Sequence, residues 1–298
     1  AIRCARTFTR RTKVVVFEGA YHGNFDEVLV RSANQKGLLK TNPGSPGIPR
    51  TSVANVIVLP WDNPASLAII DEIGDQLAAV MVEPVQSRKP DVQPAEFLSE
   101  LREITARHET LLIFDEVVTG FRCSPGGAQA HFGIEADLAT YGKVAGGNMP
   151  MGIVAGREDV MNTFDGGSWS YGDESMPTAS VTFFAGTFVR HPLAIAACNA
   201  MLKNLIEAGP GLQASLADKT DRFTRSVNDL FRMYEAPFEL PNFTSVMYLR
   251  NNDVSELGSL LWYALRHRGV FALEGFPSYM TAAHTDEMLG EVVQTLTD

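Results

Sequence analysis

The sequence predicts an α/β layered fold with a mostly parallel central sheet flanked by helices, and a smaller C-terminal α/β domain. Two observations predict it. Short, nearly continuous apolar runs, typical of strands buried on both faces, alternate with amphipathic stretches of helical spacing. Strand–helix–strand units of this kind form parallel sheets with helices on both faces. The 298 residues suffice for a large domain over 1–208 and a small domain over 209–298.

The elements of the large domain follow from local patterns. Asn63 and Pro64 are typical of a helix start, with Asn as the N-cap and Pro at the first helical position. Apolar residues recur at helical spacing over 94–108, which predicts a second helix, and residues 1–11 indicate the end of a helix. The predicted strands are 13–17, 53–59, 78–82 and 111–114.

Later in the chain the pattern predicts two long helices and then short alternating elements. His191 and Pro192 open the first long helix, which runs to about Glu207 and is stopped by Gly209 and Pro210. The stretches 41–49 and 166–187, rich in turn-forming residues, are predicted loops. The remaining predicted elements are a helix at 212–233, a strand at 246–249, a helix at 254–267 and a strand at 270–273.

Charge and cysteine usage exclude several classes of protein. Lys and Arg number 25 against 35 Asp and Glu, a net charge of −10, whereas a nucleic-acid partner requires a basic face. No apolar run approaches the roughly 20 residues that span a bilayer, so we expect no membrane partner. The three cysteines are widely spaced and form no disulfide framework, which favours the reducing cytoplasm. The histidines lack metal-ligand spacing, so we expect no metal.

Polar side chains follow the predicted strands where ligands bind parallel α/β sheets, outside the carboxyl ends. Glu83 and Asp115 each come directly after a buried strand. Position alone leaves open whether Asp115 faces a ligand or only caps the following helix. Tyr21 and His22 follow the first strand, and an aromatic ring there either stacks on a planar ligand or packs on the core.

Lys143 lies among glycines in ATYGKVAGGNMPMG (139–152). Glycines permit close backbone approach, and a lysine in this partly apolar setting can act as an amine nucleophile. Most single lysines are solvated surface residues, so the neighbouring sequence is what favours a functional role. Val144 follows Lys143, which excludes a Walker loop. Gly186 and Thr187, just before a predicted helix, can offer N–H groups and a hydroxyl to a phosphate, although Gly-Thr is a common pair.

Together, several motifs resemble class III, fold-type I aminotransferases, which use pyridoxal 5′-phosphate (PLP), and within that class the glutamate-1-semialdehyde aminotransferase subgroup. The motifs keep the family's order over nearly the whole chain. They are FEGAYHG (17–23), VEP (82–84), IFDEVVTGFR (113–122), ADLATYGKVAGGNMPMG (136–152), and AGTF followed by HPLAIAA (185–188, 191–197). The resemblance implies a fold-type I transferase, PLP as cofactor, and an aminotransferase activity.

The resemblance also implies roles for matching residues. Lys143 would form the Schiff base with the cofactor and then shuttle a proton. Asp115 would pair with the pyridinium nitrogen and make the ring an electron sink. Tyr21 would stack on one face of the ring and Val117 would pack against the other. His22, next to Tyr21, would orient the loop.

Three further positions complete the implied site. Glu83 would lie near the substrate side. Gly186 and Thr187 would reach the phosphate of the neighbouring subunit's cofactor, which implies a homodimer with shared active sites. The chain opens on a helix that in the family follows a phosphate-binding loop, so we expect a piece of a longer protein. The mutase subgroup carries Asn after its Glu-Pro pair, where this chain has Gln-Ser-Arg at 86–88, and a compensating contact from Arg88 stays open.

Three segments bear on the substrate: EPVQSR (83–88), GSWSYGDES (167–175) and TFFAGTFVRHP (182–192). They resemble aminotransferase domains of polyketide and nonribosomal-peptide assembly lines. That resemblance implies amino transfer from an amino-acid donor to a β-ketoacyl chain on a carrier protein, with loop 166–185 as an acyl channel or a subunit interface. The alternatives are a glutamate-1-semialdehyde 2,1-aminomutase and an inactive fragment that acts as an interaction module.

Overall fold

The computed structural model describes residues 1–33, 41–253 and 255–298. The α-helices in these ranges are α1 (Ile2–Thr9), α2 (Pro64–Ile73), α3 (Ala95–Arg107), α4 (Gly127–Phe132), α5 (Glu158–Met161), α6 (Pro192–Ala208), α7 (Gly211–Met233), α8 (Leu260–His267) and α9 (Asp286–Thr297). The β-strands are β1 (Lys13–Phe17), β2 (Val30–Ser32), β3 (Thr41–Pro43), β4 (Val56–Leu59), β5 (Leu77–Val82), β6 (Leu111–Asp115), β7 (Leu138–Tyr141), β8 (Ile153–Gly156), β9 (Phe238–Glu239), β10 (Asn242–Phe243), β11 (Val246–Met247), β12 (Arg250–Asn251) and β13 (Ser278–Tyr279).

The chain divides into two compact units. The first comprises residues 1–84, 94–120 and 128–203, and the second comprises 85–93, 121–127 and 204–298. The two short segments 85–93 and 121–127 thus group with the C-terminal part of the chain. The functional domains predicted at 1–208 and 209–298 stay a prediction.

The first unit contains a mostly parallel sheet. Its described strands are ordered β4-β1-β5-β6-β7-β8. The first five run parallel to one another, and β8 runs antiparallel to β7. Helices flank this sheet, which confirms the predicted fold class.

Two apolar cores cover the two faces of the sheet. Side chains alternate between faces along a strand. Val14 and Val16 of β1 therefore pack in a cluster that includes residues of α1, whereas Val15 and Phe17 pack in a cluster that includes residues of α2 and α3. Burial on both faces explains why these strands are continuous apolar runs.

The helix boundaries follow local chemistry. Asn63 is the N-cap of α2, and its side chain accepts a hydrogen bond from the backbone N–H of Ala65 at 2.9 Å. Such a cap stabilises a helix by about 1 kcal/mol. The predictions for α2, α3, α6 and α7 are confirmed to within a few residues at each end.

The second unit has its own small core. Strands β10, β11 and β13 form an antiparallel sheet, and β9 pairs with β12. Val227 and Phe231 of α7 pack with Leu240, Met247 and Met280. The helix α9 contributes partly buried residues to the same cluster.

Several predicted boundaries are wrong. The strand predicted at 53–59 begins only at Val56, because residues 50–53 form a 3₁₀ turn. The strand predicted at 270–273 is absent from the described residues, since the run lies exposed without a neighbouring strand, with Phe271 at 75% exposure. The predicted loop 41–49 begins with β3, which pairs with β2. The helix predicted at 254–267 is a 3₁₀ turn and then α8, and its first residue, 254, lies outside the described residues.

Candidate active site

Four adjacent parallel strands end at one side of the first unit. They are β1, β5, β6 and β7, and we call the residues that follow their C-terminal ends the carboxyl edge. Because parallel strands bring their carboxyl ends together, polar residues distant in sequence become neighbours there. Tyr21 and His22 follow β1, Glu83 follows β5, Asp115 ends β6 and Lys143 follows β7.

A buried imidazole–carboxylate pair occupies the carboxyl edge. His22 Nδ1 lies 2.8 Å from Asp115 Oδ2, and the two side chains are 2% and 10% exposed. Because an ionised carboxylate only accepts hydrogen bonds, His22 donates from Nδ1. His22 Nε2 is also buried, with no hydrogen-bond partner among the described residues.

The second carboxylate oxygen of Asp115 is held by two further donors. Val117 donates its backbone N–H to Oδ1 at 3.2 Å, and Thr140 donates its hydroxyl to the same oxygen at 3.3 Å. Thr140 is the register partner of Asp115 on the neighbouring strand β7. Asp115 thus faces three donors from three different segments, which fix the orientation of its carboxylate.

Glu83 holds the loop that carries Tyr21. Its carboxylate is buried, and Oε1 accepts the backbone N–H of Tyr21 at 2.9 Å. The Tyr21 side chain itself is 55% exposed. Glu83 therefore positions the backbone of an aromatic residue whose ring stays accessible.

Lys143 begins a 3₁₀ turn directly after β7 and Gly142. The residue is exposed, and its φ of 43° lies in the left-handed region, which is unfavourable for a residue with a Cβ. A Cβ on Gly142 would lie 3.4 Å from Val117 Cγ1, so the valine side chain packs against the backbone that leads to the lysine.

Gly186 and Thr187 lie on an exposed stretch of the first unit that precedes α6. The helix α6 itself packs on the turn that follows Lys143. A Cβ on Gly147 would lie 2.6 Å from the carbonyl oxygen of Ala197, and the φ of Gly147 is 56°. Both the close carbonyl oxygen and the positive φ require a residue without a Cβ at this position.

Arg88, which is also exposed, belongs to the second unit.

Two residues that support this edge were not predicted from the sequence. Thr140 is one, and the signal for it is a polar residue near the end of an otherwise apolar strand, level with Asp115. Glu116 is another: it is 1% exposed, and its carboxylate accepts from the backbone N–H groups of Ala128 and Gln129 and from the Thr119 hydroxyl. The adjacent residues Asp115 and Glu116 therefore have different roles. Asp115 faces the carboxyl edge, whereas Glu116 holds the segments next to it.

The described residues, 1–33, 41–253 and 255–298, include neither a metal-binding cluster nor a membrane-spanning helix. No group of three or more His, Cys, Asp or Glu side chains there is placed to hold a metal ion. No helix in those ranges is both long and apolar enough to cross a membrane.

The chemistry that this edge can perform follows from its donors. A fixed, buried carboxylate can hold a cationic N–H group, and the primary amine of a lysine can attack a carbonyl. An accessible aromatic ring can cover the face of a planar ligand. These three capacities suit a planar, cationic ring that carries a carbonyl group.

Comparisons with known proteins agree with this chemistry. The family model described as Aminotransferase class-III matches residues 1–273. A glutamate-1-semialdehyde 2,1-aminomutase from Methanococcus maripaludis is 34% identical over 99% of this chain and 69% of its own length. An omega-transaminase from Sphaerobacter thermophilus superposes with a TM-score of 0.87 at 26% identity, covering 99% of this chain and 69% of that one. A transaminase solved with PLP bound gives a TM-score of 0.86 at 26% identity, with coverage of 99% and 68%.

Proposed function

The chain belongs to the class III aminotransferase family of PLP-dependent enzymes, and we propose that its active site is the carboxyl edge, with Lys143 and Asp115 as catalytic residues. The observation that carries the proposal is the placement of Asp115. Its carboxylate is buried and held by three donors, of which His22 is one, on the strand next to the one that leads to Lys143. A carboxylate fixed in this way needs no reorganisation when it meets a cation.

The residues at the carboxyl edge fit PLP. Asp115 offers a carboxylate that is 10% exposed to a protonated ring nitrogen. Lys143, an exposed residue, offers its amine to the aldehyde, and Tyr21, which is 55% exposed, offers its ring to one face of the cofactor. Val117, packed against Gly142, supplies an apolar surface for the other face.

Each residue then has a definite task. When bound, PLP supplies an aldehyde that takes up the amino group and a ring that accepts electrons from the reacting carbon. Lys143 Nζ binds the cofactor and moves the proton to and from the reacting carbon. Asp115 keeps the ring nitrogen protonated, because a nearby carboxylate favours the cationic form. His22 and Thr140 hold Asp115, and Glu83 holds the Tyr21 backbone.

The reaction is the transfer of an amino group from an amino-acid donor to a keto acceptor. The sequence favours a β-ketoacyl chain on a carrier protein as that acceptor, with the exposed loop 166–185 as its channel, and this stays a prediction. The relatives' names give it no support. What supports the amino transfer itself is family membership together with the site described above.

A second candidate is the aminomutase reaction, in which the amino group of glutamate 1-semialdehyde moves from carbon 2 to carbon 1. The observation that favours it is the 34% identity to the Methanococcus maripaludis aminomutase over nearly the whole chain. The two candidates share the cofactor and the roles of Lys143 and Asp115. They differ in whether an amino donor is consumed.

We also propose that Gly186 and Thr187 bind the cofactor phosphate of a second copy of the chain. The loop that carries them is rich in exposed aromatic residues: Tyr171, Phe183 and Phe188 are 98%, 74% and 80% exposed. An exposed apolar surface of this kind is typical of a protein–protein interface. A homodimer with shared active sites would cover it.

The experiment that tests the function counts donor molecules. Enzyme loaded with PLP is given an amino-acid donor together with a β-ketoacyl thioester, or glutamate 1-semialdehyde alone. An aminotransferase consumes one donor per product and leaves the semialdehyde without donor unchanged beyond the enzyme-bound amount. An aminomutase turns over the semialdehyde repeatedly with no donor. If the PLP-loaded protein transfers an amino group in neither of the two assays, the proposal is contradicted.

A further inference from the structure

The strand that leads to Lys143 ends on a tyrosine with an unusual set of contacts. Tyr141 is the last residue of β7, two positions before the lysine. Gln129 donates from Nε2 to the Tyr141 hydroxyl at 3.1 Å. A Cβ on Gly120 would lie 2.6 Å from Tyr141 Cδ1, so the ring rests directly on the backbone of that glycine.

Gln129 is itself fixed at three points. Its backbone N–H donates to Glu116 Oε1 at 3.0 Å, and its side-chain Oε1 accepts the backbone N–H of Ala136 at 2.9 Å. The other polar atom of its side chain, Nε2, donates to Tyr141. A side chain with both ends of its amide occupied has little rotational freedom, so it transmits the position of α4 to the tyrosine.

The same contacts return to the strand of Asp115. Glu116 follows Asp115 directly, its backbone N–H donates to the Thr140 carbonyl at 2.9 Å, and its buried carboxylate holds Gln129. Glu116, Gln129 and Tyr141 therefore form a hydrogen-bonded connection between the end of β6 and the end of β7, in addition to the backbone hydrogen bonds between these two strands. Burial, and to a smaller degree the Glu116 carboxylate, raise the pKa of Tyr141, so its hydroxyl stays protonated.

Resting on the proposed function, we infer that Tyr141 and Gln129 are positioning residues that hold Lys143 at a fixed place relative to Asp115. Lys143 has a left-handed backbone conformation that its own side chain disfavours. A conformation of this kind persists only where neighbouring structure enforces it. The Gln129–Tyr141 bond anchors the strand end immediately before it, and Gly142 is the one residue between them.

The test compares Tyr141→Phe, which removes one hydroxyl, with Tyr263→Phe as the matched control. Tyr263 lies on α8 in the second unit and is 63% exposed. The first readout is amide hydrogen exchange of residues 142–147 in the cofactor-free protein. We expect Tyr141→Phe to speed exchange there by about threefold or more, while peptides from β1 and β5 and the control protein stay unchanged.

The second readout is turnover. A displaced lysine slows proton transfer without weakening substrate binding, so we expect kcat to fall about tenfold or more at unchanged KM. In a Gln129→Met background, Tyr141→Phe should have a clearly smaller effect on both readouts, because the Gln129–Tyr141 bond is already absent. Unchanged exchange, unchanged kcat, or a full effect of Tyr141→Phe in that background overturns the inference.

Borohydride reduction of the loaded wild-type protein, followed by peptide mapping, separates this inference from the proposed function. If the cofactor is fixed to Lys143 but Tyr141→Phe changes neither readout, only the positioning role is wrong. If the cofactor is not fixed to Lys143, the proposed function fails, and the positioning role fails with it.

Discussion

His22 is the single residue whose replacement reports most directly on the carboxylate at the carboxyl edge. Its Nδ1 donates to Asp115 Oδ2, and both side chains are nearly buried. A buried acceptor that loses its donor costs the full desolvation penalty of that group. The pair therefore stabilises the fold as well as the site.

We predict that His22→Phe destabilises the cofactor-free protein by about 1–3 kcal/mol, because Asp115 Oδ2 is left buried without its donor. Chemical denaturation measures the change. The control is His131→Phe, since His131 is exposed and stacks edge-on against Phe132. Equal stabilities of the His22 and His131 variants would contradict the described pairing.

Single residues also show how far the sequence alone could predict this site. Glu83 and Asp115 could be proposed because each follows a readable strand, and Lys143 because of the glycine-rich sequence around it. The bond between His22 and Asp115 could not, since 93 positions separate them and only the strand order brings them together. The role of Glu116 was hidden for a similar reason: nothing local shows which of two adjacent carboxylates turns inward.

At the scale of elements, Asp137 joins several parts of the first unit. It is 3% exposed, and it pairs with Arg102 of α3 at 2.9 Å and with Arg157, just after β8, at 2.6 Å. It also accepts the backbone N–H of Leu112 in β6 at 2.8 Å. A helix and two strands of the sheet therefore depend on one carboxylate.

We predict that Asp137→Asn lowers the free energy of unfolding. Breaking a buried ion pair typically costs about 3–5 kcal/mol, and we expect a loss near the lower end of this range because Arg157 is half exposed. The matched control is Asp159→Asn. Asp159 pairs with the same Arg157 but is itself exposed, so its loss should cost less than about 1 kcal/mol. Denaturant titration of both variants gives the comparison, and the reverse ranking would refute it.

A histidine between two aspartates connects α2 with α3 and makes their packing sensitive to pH. His108 Nδ1 lies 3.0 Å from Asp75 and Nε2 lies 2.8 Å from Asp71, while Arg107 also pairs with Asp71. Hydrogen bonds to Asp75 and then Asp71 raise the pKa of His108 above its ordinary 6.5. The protonated form is therefore the one that the folded state favours.

We predict that His108→Gln lowers stability more at low pH than at high pH. A raised folded-state pKa gives a contribution that is fully present below about 6.5 and is lost as the pH rises through the folded value. The measurement is the stability difference between wild type and variant at pH 6 and pH 9. A difference that grows toward pH 9 would show that the sign is wrong.

Elements were more predictable than single contacts, within limits set by pairing. Strands buried on both faces are continuous apolar runs, so β1, β5 and β6 could be read directly. The run at 270–273 is similarly apolar but pairs with no strand in the part of the chain that the structure describes, and it stays irregular. The composition of a segment indicates a preference for strand structure, but a strand forms only where a neighbouring strand is available to pair with it.

At the scale of the whole molecule, the exposed loop before α6 leads to a prediction about assembly. If Thr187 serves the cofactor of a second copy, two inactive variants can restore each other. The Lys143→Ala subunit carries an intact Thr187, and the Thr187→Ala subunit carries an intact Lys143. A mixed dimer then holds one complete site.

We predict that unfolding and refolding an equal mixture of these variants restores about a quarter of wild-type activity, since half the dimers are mixed and each holds one complete site. Each variant refolded alone is the control. Light scattering checks that the protein is dimeric. No recovery in a dimeric mixture would show that Thr187 does not act across subunits.

The most direct test of the carboxyl edge as a PLP site is to find which residue holds the cofactor. The PLP-loaded protein is reduced with borohydride, digested, and its peptides are weighed by mass spectrometry. We predict that the reduced cofactor is attached to the peptide that contains Lys143 and is absent from Lys143→Ala treated in the same way. Attachment to another lysine, or an unchanged yield in Lys143→Ala, would contradict the assignment.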